Sequence, residues 1–359
     1  MQRSSEVAEV QPMTNDLAGE AFHVVDGDID WPIATAGMLA TATPLFVGLA
    51  TGNAHLGLFA ALGGMNVALA MPGAKVSDRW IWGVLALVGS TAAVALGVLT
   101  QPSVVACVAA TFIWIALWST LRVAGKHGAL TGFVVSAVFV VTNGISSAPL
   151  EQEVACLAVG GAFGLIVMVL AVLGSKPVET ETTWPGLSTT LSQARSGLLD
   201  DQSLRHHALR IGLTTALAVL AYRLIDLPYG YWVALTALAI LQPGAHTSRV
   251  RALQRGSGSF IGILTATVVV LVTANPWWLA AATALTAFSL FGLRERNYHW
   301  LVMLLTPTVL LMISTTNYSE LSICAYRILN TALGIALALV ATFFVWGETP
   351  KSKLGSRSP

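Results

Sequence analysis

The sequence predicts an all-α polytopic membrane protein of about 12 transmembrane helices in two six-helix halves, on three observations. Hydrophobic residues make up 55% of the 359 positions and charged residues only 10%, whereas ordinary soluble domains carry about 25% charged residues. Apolar runs approaching the roughly 20 residues that cross a bilayer recur along the whole chain. Lysine and arginine fall in alternate connections between those runs, the asymmetry that a positive-inside membrane protein shows.

The elements follow in chain order. Residues 1–30 are polar and mildly acidic, so they read as a disordered cytoplasmic tail with too few apolar residues to offset ordering entropy. They lack the basic start and apolar stretch of a cleavable signal. Trp31-Pro32 opens the first half, 31–174. Its spans are expected near 33–52, 54–72, 80–100, 103–121, 128–147 and 154–174. Residues 175–205 hold Pro177, Pro185, Glu179, Glu181, Asp200 and Asp201 and read as a cytoplasmic linker with a surface helix over 187–200. The second half, 206–347, has spans expected near 207–226, 229–243, 258–274, 276–292, 298–315 and 321–346. A short cytoplasmic tail, 348–359, follows. The connections near Asn53, Gln101, Glu151, Asp226, Asn275 and Asn317 carry no lysine or arginine, while Lys75, Arg79, Arg122, Lys126, Lys176, Arg205, Arg249, Arg294 and Lys351 mark the others. Both termini are therefore expected in the cytoplasm.

Composition and absent motifs exclude several function classes. A net charge of +1 gives no case for nucleic acid. Cys107, Cys156 and Cys324 lie in apolar runs without Cys-x-x-Cys spacing, and read as small buried hydrophobes rather than a disulfide framework or zinc site. The seven histidines form no His-x-x-x-His pair, so no metal site is expected. There is no phosphate-binding loop of the Gly-x-x-x-x-Gly-Lys type and no Gly-x-Ser-x-Gly. The chain is thus expected to be neither an ATPase nor another enzyme, and to need no cofactor. Its expected partners are the lipid bilayer and a small organic anion; a homo-oligomer is compatible with the sequence.

One internal pattern is the most specific signal. Tyr231-Trp232 opens YWVALTALAILQPG, and Arg255 follows in Arg-x-x-Gly258-Ser259-x-x-Gly262-x-x-x-Ala266. His299-Trp300 opens HWLVMLLTPTVLLM, and Arg327 follows in Arg-x-x-Asn330-Thr331-x-x-Gly334-x-x-x-Ala338. The two units lie three spans apart, so they enter the bilayer from opposite faces. They predict 3+3 inverted repeats in the second half, a pointer to a transporter-type pathway. In the first half Gly160-Gly161-x-x-Gly164 keeps the small residues, but Leu157 stands where the template has arginine.

Arg327 lies about six residues into its span, roughly 9 Å along the axis at 1.5 Å per residue. Placing arginine near the bilayer centre costs about 2.5–3.5 kcal/mol on insertion scales, so such residues face a wet cavity or a partner. Asn330 and Thr331 share its helix face. The competing reading is a side chain snorkelling to the outer interface. Arg255 is read at the cytoplasmic start of its span, where positive-inside bias accounts for it and Gly258, Ser259 and Gly262 read as a close-packing face. Even so, Arg249, Arg251 and Arg255 would concentrate anions in a vestibule. Arg223 and Asp226 close span 7 as a local pair or, for Arg223, a second carboxylate ligand. Tyr231, Trp232 and Trp300 read as an interfacial belt or as a stacking wall. Gln242-Pro243 and Thr306-Pro307 read as breaks whose freed backbone groups need partners, and Thr236, Gln242 and Thr306 supply neutral hydrogen bonds. His299 sits at the cytoplasmic mouth of span 11, where it could titrate. Asn143-Gly144 reads as structural.

The segment PYGYWVALTALAILQPGAHTSRVRALQRGSGSFIG resembles the signature of the fusaric-acid-resistance-like (FUSC) integral membrane transporters. The matching pieces are Tyr231-Trp232, Leu235-Thr236, Leu241-Gln242-Pro243, Arg251, Arg255, Gly258-Ser259 and Gly262. Arg327-x-x-Asn330-Thr331-x-x-Gly334 resembles the family's Arg-x-x-Asp-Thr-x-x-Gly, with Asn330 for the usual Asp. The resemblance covers about 206–345 and implies a bacterial inner-membrane transporter, a superfamily that includes aromatic acid exporters and is distantly similar to plant malate-permeable channels. The Asn330 exchange removes a proton carrier that the family pattern offers. The expectation is therefore efflux of small organic or aromatic carboxylates. A passive anion channel and a non-transporting scaffold are the competing readings.

Overall fold

A computed structural model describes residues 17–25, 29–71, 76–145, 147–174, 186–316 and 322–345. Residues 1–16, 175–185 and 346–359, part of the expected tails and linker, lie outside them. The described residues are helical throughout, without strands. They form α1 (Leu17–Phe22), α2 (Trp31–Ala50), α3 (Ala54–Ala70), α4 (Val76–Thr100), α5 (Val104–Ser119), α6 (Gly125–Ile145) and α7 (Leu150–Gly174), then α8 (Leu187–Asp200), α9 (Gln202–Leu224), α10 (Tyr231–Ile240), α11 (Ala245–Val272), α12 (Pro276–Leu293), α13 (Tyr298–Ser314) and α14 (Ser322–Val340). Each of the 12 expected spans overlaps one of α2–α7 or α9–α14. Among the described residues, seven stretches are long and apolar enough to cross a membrane, one of them the 42-residue run Val104–Ile145 that holds both α5 and α6. The chain reverses between those two through a 3₁₀ turn, Thr120–Ala124, and Gly125 at φ 78°, a region open to glycine at no steric cost. Val105, Leu173 and Val272, on α5, α7 and α11, are among the large apolar side chains left exposed, a surface suited to lipid rather than water. The chain is an all-α polytopic membrane protein.

Packing follows one plan in both halves. α3 packs on α7 as α10 packs on α14, and α4 packs on α6 as α11 packs on α13. The first helices of the triplets cross between halves, α2 on α12 and α5 on α9. The first half thus packs as the second does, although Leu157 stands where the template has arginine. Small residues allow this packing, as expected where lipid supplies no hydrophobic drive between helices. An ideal Cβ on Gly160 would lie 2.0 Å from the Ala60 carbonyl oxygen, and one on Gly64 2.0 Å from that of Ala40. In the second half a Cβ on Gly262 would lie 2.7 Å from the Met303 carbonyl, and one on Gly334 2.7 Å from that of Val233.

Three expectations are corrected. Residues 17–25 are not a disordered tail. The Gln254 amide donates to the Ala21 carbonyl at 2.9 Å, Asn297 donates to Ala21 and His23, and Val25 N–H donates to the Arg296 carbonyl. Gln254 within α11, with the Arg296 carbonyl and the Asn297 amide between α12 and α13, thus orders a segment whose own composition could not. Pro307 does not interrupt its run, since α13 continues through it. The Met303 carbonyl, deprived of a proline N–H, instead faces the close backbone of Gly262. Finally, α11 starts at Ala245, well before the expected 258, which places Arg255 in its third turn.

Gly160→Ala is expected to destabilise by about 1–3 kcal/mol, because a backbone carbonyl must move to admit the methyl. Gly256→Ala meets only the Ile335 Cδ1 at 3.3 Å and should be neutral or stabilising by up to about 1 kcal/mol through helix propensity. Thermal unfolding of the detergent-solubilised protein should show opposite signs for the two.

Candidate functional site

The two halves enclose between them a cavity of about 80 Å³, room for several waters at roughly 10–15 Å³ each. α3 contributes Asn66, α6 contributes Phe133 and Thr142, and α7 contributes Leu157. Trp232 comes from α10, Arg255 from α11, Thr306 from α13 and Arg327 from α14. Its remaining lining residues are apolar, and none is a carboxylate.

Why these two arginines stand apart is clear from the other buried ones. Arg210 is fully buried and donates to the Gln242 carbonyl just beyond α10. Arg223 donates to the Gln101 carbonyl just beyond α4. Arg294 donates to Ala68 near the end of α3 at 2.8 Å. Each caps carbonyls that a helix C-terminus leaves unpaired, where the helix dipole also favours a cation. Arg255 and Arg327 make no hydrogen bond or ion pair with any described residue. They are 3% and 2% exposed, and Arg255 Nε with Arg327 Nε and Nη1 are buried without partners. Arg327 lies over the Trp232 ring, its Cζ 3.5 Å from the centroid, a cation–π contact. That contact offsets part of the burial cost and leaves the N–H groups unused. Arg255 adds a like charge acting on Arg327. Neutral groups of the same motif are also buried without partners: Trp232 Nε1, Thr236 Oγ1, Ser259 Oγ, Thr306 Oγ1 and Thr331 Oγ1. Such groups are rare in native proteins and mark a place where a ligand, ion or water belongs.

The other expected site residues fall in different places. Asn330 is fully buried and donates to the Pro228 and Tyr229 carbonyls at 3.0 and 2.9 Å, so its amide holds the loop before α10. Tyr229 and Asp226 in that loop have positive φ, 53° and 49°, an uncommon conformation that needs such support. Arg223 does not pair with Asp226, because its guanidinium is taken by the Gln101 carbonyl. Gln242 serves through its backbone: its carbonyl accepts from Arg210 and Ser248, and its N–H donates to Ser248 Oγ. Tyr231 lines a separate vestibule on the face opposite α8, its ring 4.9 Å from that of Trp232. His299 is half-buried beside Ser257 Oγ at 3.0 Å and edge-on to Phe22. Trp300 is half-buried outside the cavity lining. Arg249 and Arg251 lie over the rings of Phe343 and Tyr298, so neither joins Arg255 in the cavity. Asn143 accepts from the Cys107 thiol at 3.3 Å and donates to the Phe139 carbonyl, a structural role.

Sequence reasoning missed Asn66, Thr142 and Phe133, which carry no motif, and Arg210, whose position inside an expected span was the available signal. Replacing Asn330 by alanine should cost about 1–3 kcal/mol through two unpaired carbonyls. Hydrogen exchange of residues 225–231 should quicken in that variant, and thermal unfolding should come at lower temperature.

Residues 217–341 match a family model described as fusaric acid resistance protein-like. Among curated proteins, one of Neisseria gonorrhoeae, named only as an uncharacterized protein ORF2, is 26% identical over 172 residues, 47% of this chain and 39% of that protein. An uncharacterized protein of Haemophilus influenzae is 25% identical over 148 residues, 41% of this chain and 21% of its own length. The inner membrane protein YccS of Escherichia coli is 24% identical over 163 residues, 45% and 23% of the two. The match thus spans well under half the length of each of these relatives. No solved structure matches the chain.

Proposed function

From a chain that carries a fusaric acid resistance protein-like domain over residues 217–341, in an all-α polytopic membrane protein, we propose secondary-active efflux of small organic anions, aromatic carboxylates foremost, across a bacterial inner membrane. The proposed orientation has both termini in the cytoplasm. The observation that carries the reading is the pair of buried guanidiniums, Arg255 and Arg327, on a cavity without a carboxylate. Burying an unpaired ion costs several kcal/mol, and an anion entering the cavity relieves that cost for both charges at once. Arginine binds a carboxylate through two parallel hydrogen bonds, and the unused Nε and Nη1 of Arg327 offer such an edge. Trp232 holds Arg327 from its face and adds an apolar wall for a flat ring. Thr306 and Asn66 offer neutral hydrogen bonds from the two halves. A cation would meet two like charges and no acceptor carboxylate, which sets the selectivity. The lining supplies no proton carrier, and Asn330 stands where the family pattern has Asp. Coupling to a proton or other ion therefore enters at another group or with the anion itself.

The test is efflux of radiolabelled benzoate from proteoliposomes. Arg327→Gln and Arg255→Gln each remove hydrogen bonds from a charged donor, worth about 1.5–3 kcal/mol, so flux at low benzoate should fall about 10- to 100-fold. Arg223→Gln should leave benzoate affinity unchanged, since Arg223 caps a helix outside the cavity. Unaltered flux in folded Arg327→Gln protein overturns the reading. Large benzoate currents without dependence on an ion gradient would replace the transporter with a channel.

A further inference from the structure

Three further cavities lie around the central one, and one of them shares a wall residue, Phe133, with it. On the face that bears α8, a pocket of about 370 Å³ is lined by Arg122, His207, Gln193 and Asp201, among others. Arg122 and His207 also line a deeper pocket of about 70 Å³, together with Ser136 and Phe133. Phe133 in turn lines the central cavity. On the opposite face lies a vestibule of about 710 Å³ that includes His55, Gly144 and Tyr231. Tyr231 and Trp232, side by side, separate it from the central cavity, and the Tyr231 ring rests on Gly144, where no Cβ would fit.

Resting on the anion-transport reading, we propose that Arg122 and His207 form a second anion-binding subsite. It captures the transported anion on the α8 face before it passes Phe133 to Arg255 and Arg327. His207 is 4% exposed, and its Nδ1 is buried without a partner. The Arg122 guanidinium makes no hydrogen bond or ion pair with any described residue. The Arg122 and Arg210 guanidiniums both act on His207, so the positive potential of this corner comes from the two arginines, while the His207 imidazole offers ring nitrogens for hydrogen bonding. Arg210 is already committed to the Gln242 carbonyl. Asp201, the carboxylate of the outer pocket, caps α9 by accepting from Ser203 N–H at 2.8 Å. The Arg122 guanidinium and the unpartnered His207 Nδ1, on side chains that line both pockets, thus remain for a ligand in a pocket that Phe133 also lines. The ligand class is that of the central site, a small carboxylate or comparable anion, and Phe133 is the inner gate.

Thiol accessibility tests this without knowledge of the natural substrate. The full chain, with Cys107, Cys156 and Cys324 replaced by alanine, receives one cysteine at Ser136 or at Thr306. Vesicles with the α8 face outward are treated with anionic sulfonatoethyl or cationic trimethylammonioethyl methanethiosulfonate. Ser136→Cys should react at least tenfold faster with the anionic reagent, and Arg122→Gln with His207→Asn should abolish that preference. Phe133→Ala should speed modification of Thr306→Cys while leaving the Ser136→Cys rate within twofold. Equal rates for the two reagents at Ser136→Cys, a preference indifferent to Arg122→Gln with His207→Asn, or a thiol at 136 that neither reagent reaches overturns the subsite. An anionic preference at Thr306→Cys that disappears with Arg327→Gln keeps the central reading even then. Without any such preference at Thr306→Cys, it is the central anion site that fails.

Discussion

Two positive charges held in the middle of a lipid-facing helical bundle, with no negative charge beside them, are the constraint on which the rest of the structure turns. Hydrocarbon tolerates an arginine only when its N–H groups are satisfied or when it borders water. Arg210, Arg223 and Arg294 meet the first condition by closing helix ends. Arg255 and Arg327 do not; both line the cavity between the halves, which has room for water or a ligand. The Trp232 ring steadies one of them by its quadrupole, which needs no N–H and so leaves the donors free.

That arrangement depends on α10, only ten residues long and buried along its whole length. A helix too short to cross a bilayer leaves both sets of unpaired end groups inside the protein. At its start the Asn330 amide takes two loop carbonyls, and at its end Arg210 takes the Gln242 carbonyl. Both residues are therefore structural before they are anything else, and together they fix Trp232 beneath Arg327. The close approach of α14 to α10 at Gly334, and of α13 to α11 at Gly262, completes the same geometry from the two units.

The sequence was legible wherever a property is local. Twelve apolar runs became helices because length and apolarity are read residue by residue. The surface helix over 187–200 was likewise legible from its polar flanks. The Trp-to-Arg template led to Trp232, Arg255, Thr306 and Arg327 because repeated spacing survives without coordinates. Asn66, Thr142 and Phe133 were not legible, since a lone polar or aromatic residue in an apolar helix announces nothing about which way it faces. Arg223 and Gln242 were misjudged for the complementary reason: a charged or amide residue beside a helix break serves either a ligand or the break. Only the position of the partner carbonyl decides between them.

What composition, periodicity and charge alternation settled by themselves is the helical, membrane-embedded character of the chain and the places of its long apolar helices. These follow from the bilayer, which imposes the same demand on every crossing segment. Which arginine is capped and which is left bare, that the first half helps to build the cavity, and that residues 17–25 are ordered by amides more than 200 positions away were decided only when the helices packed. Those outcomes rest on hydrogen bonds and close approaches between residues far apart in the chain, and such contacts exist only in three dimensions.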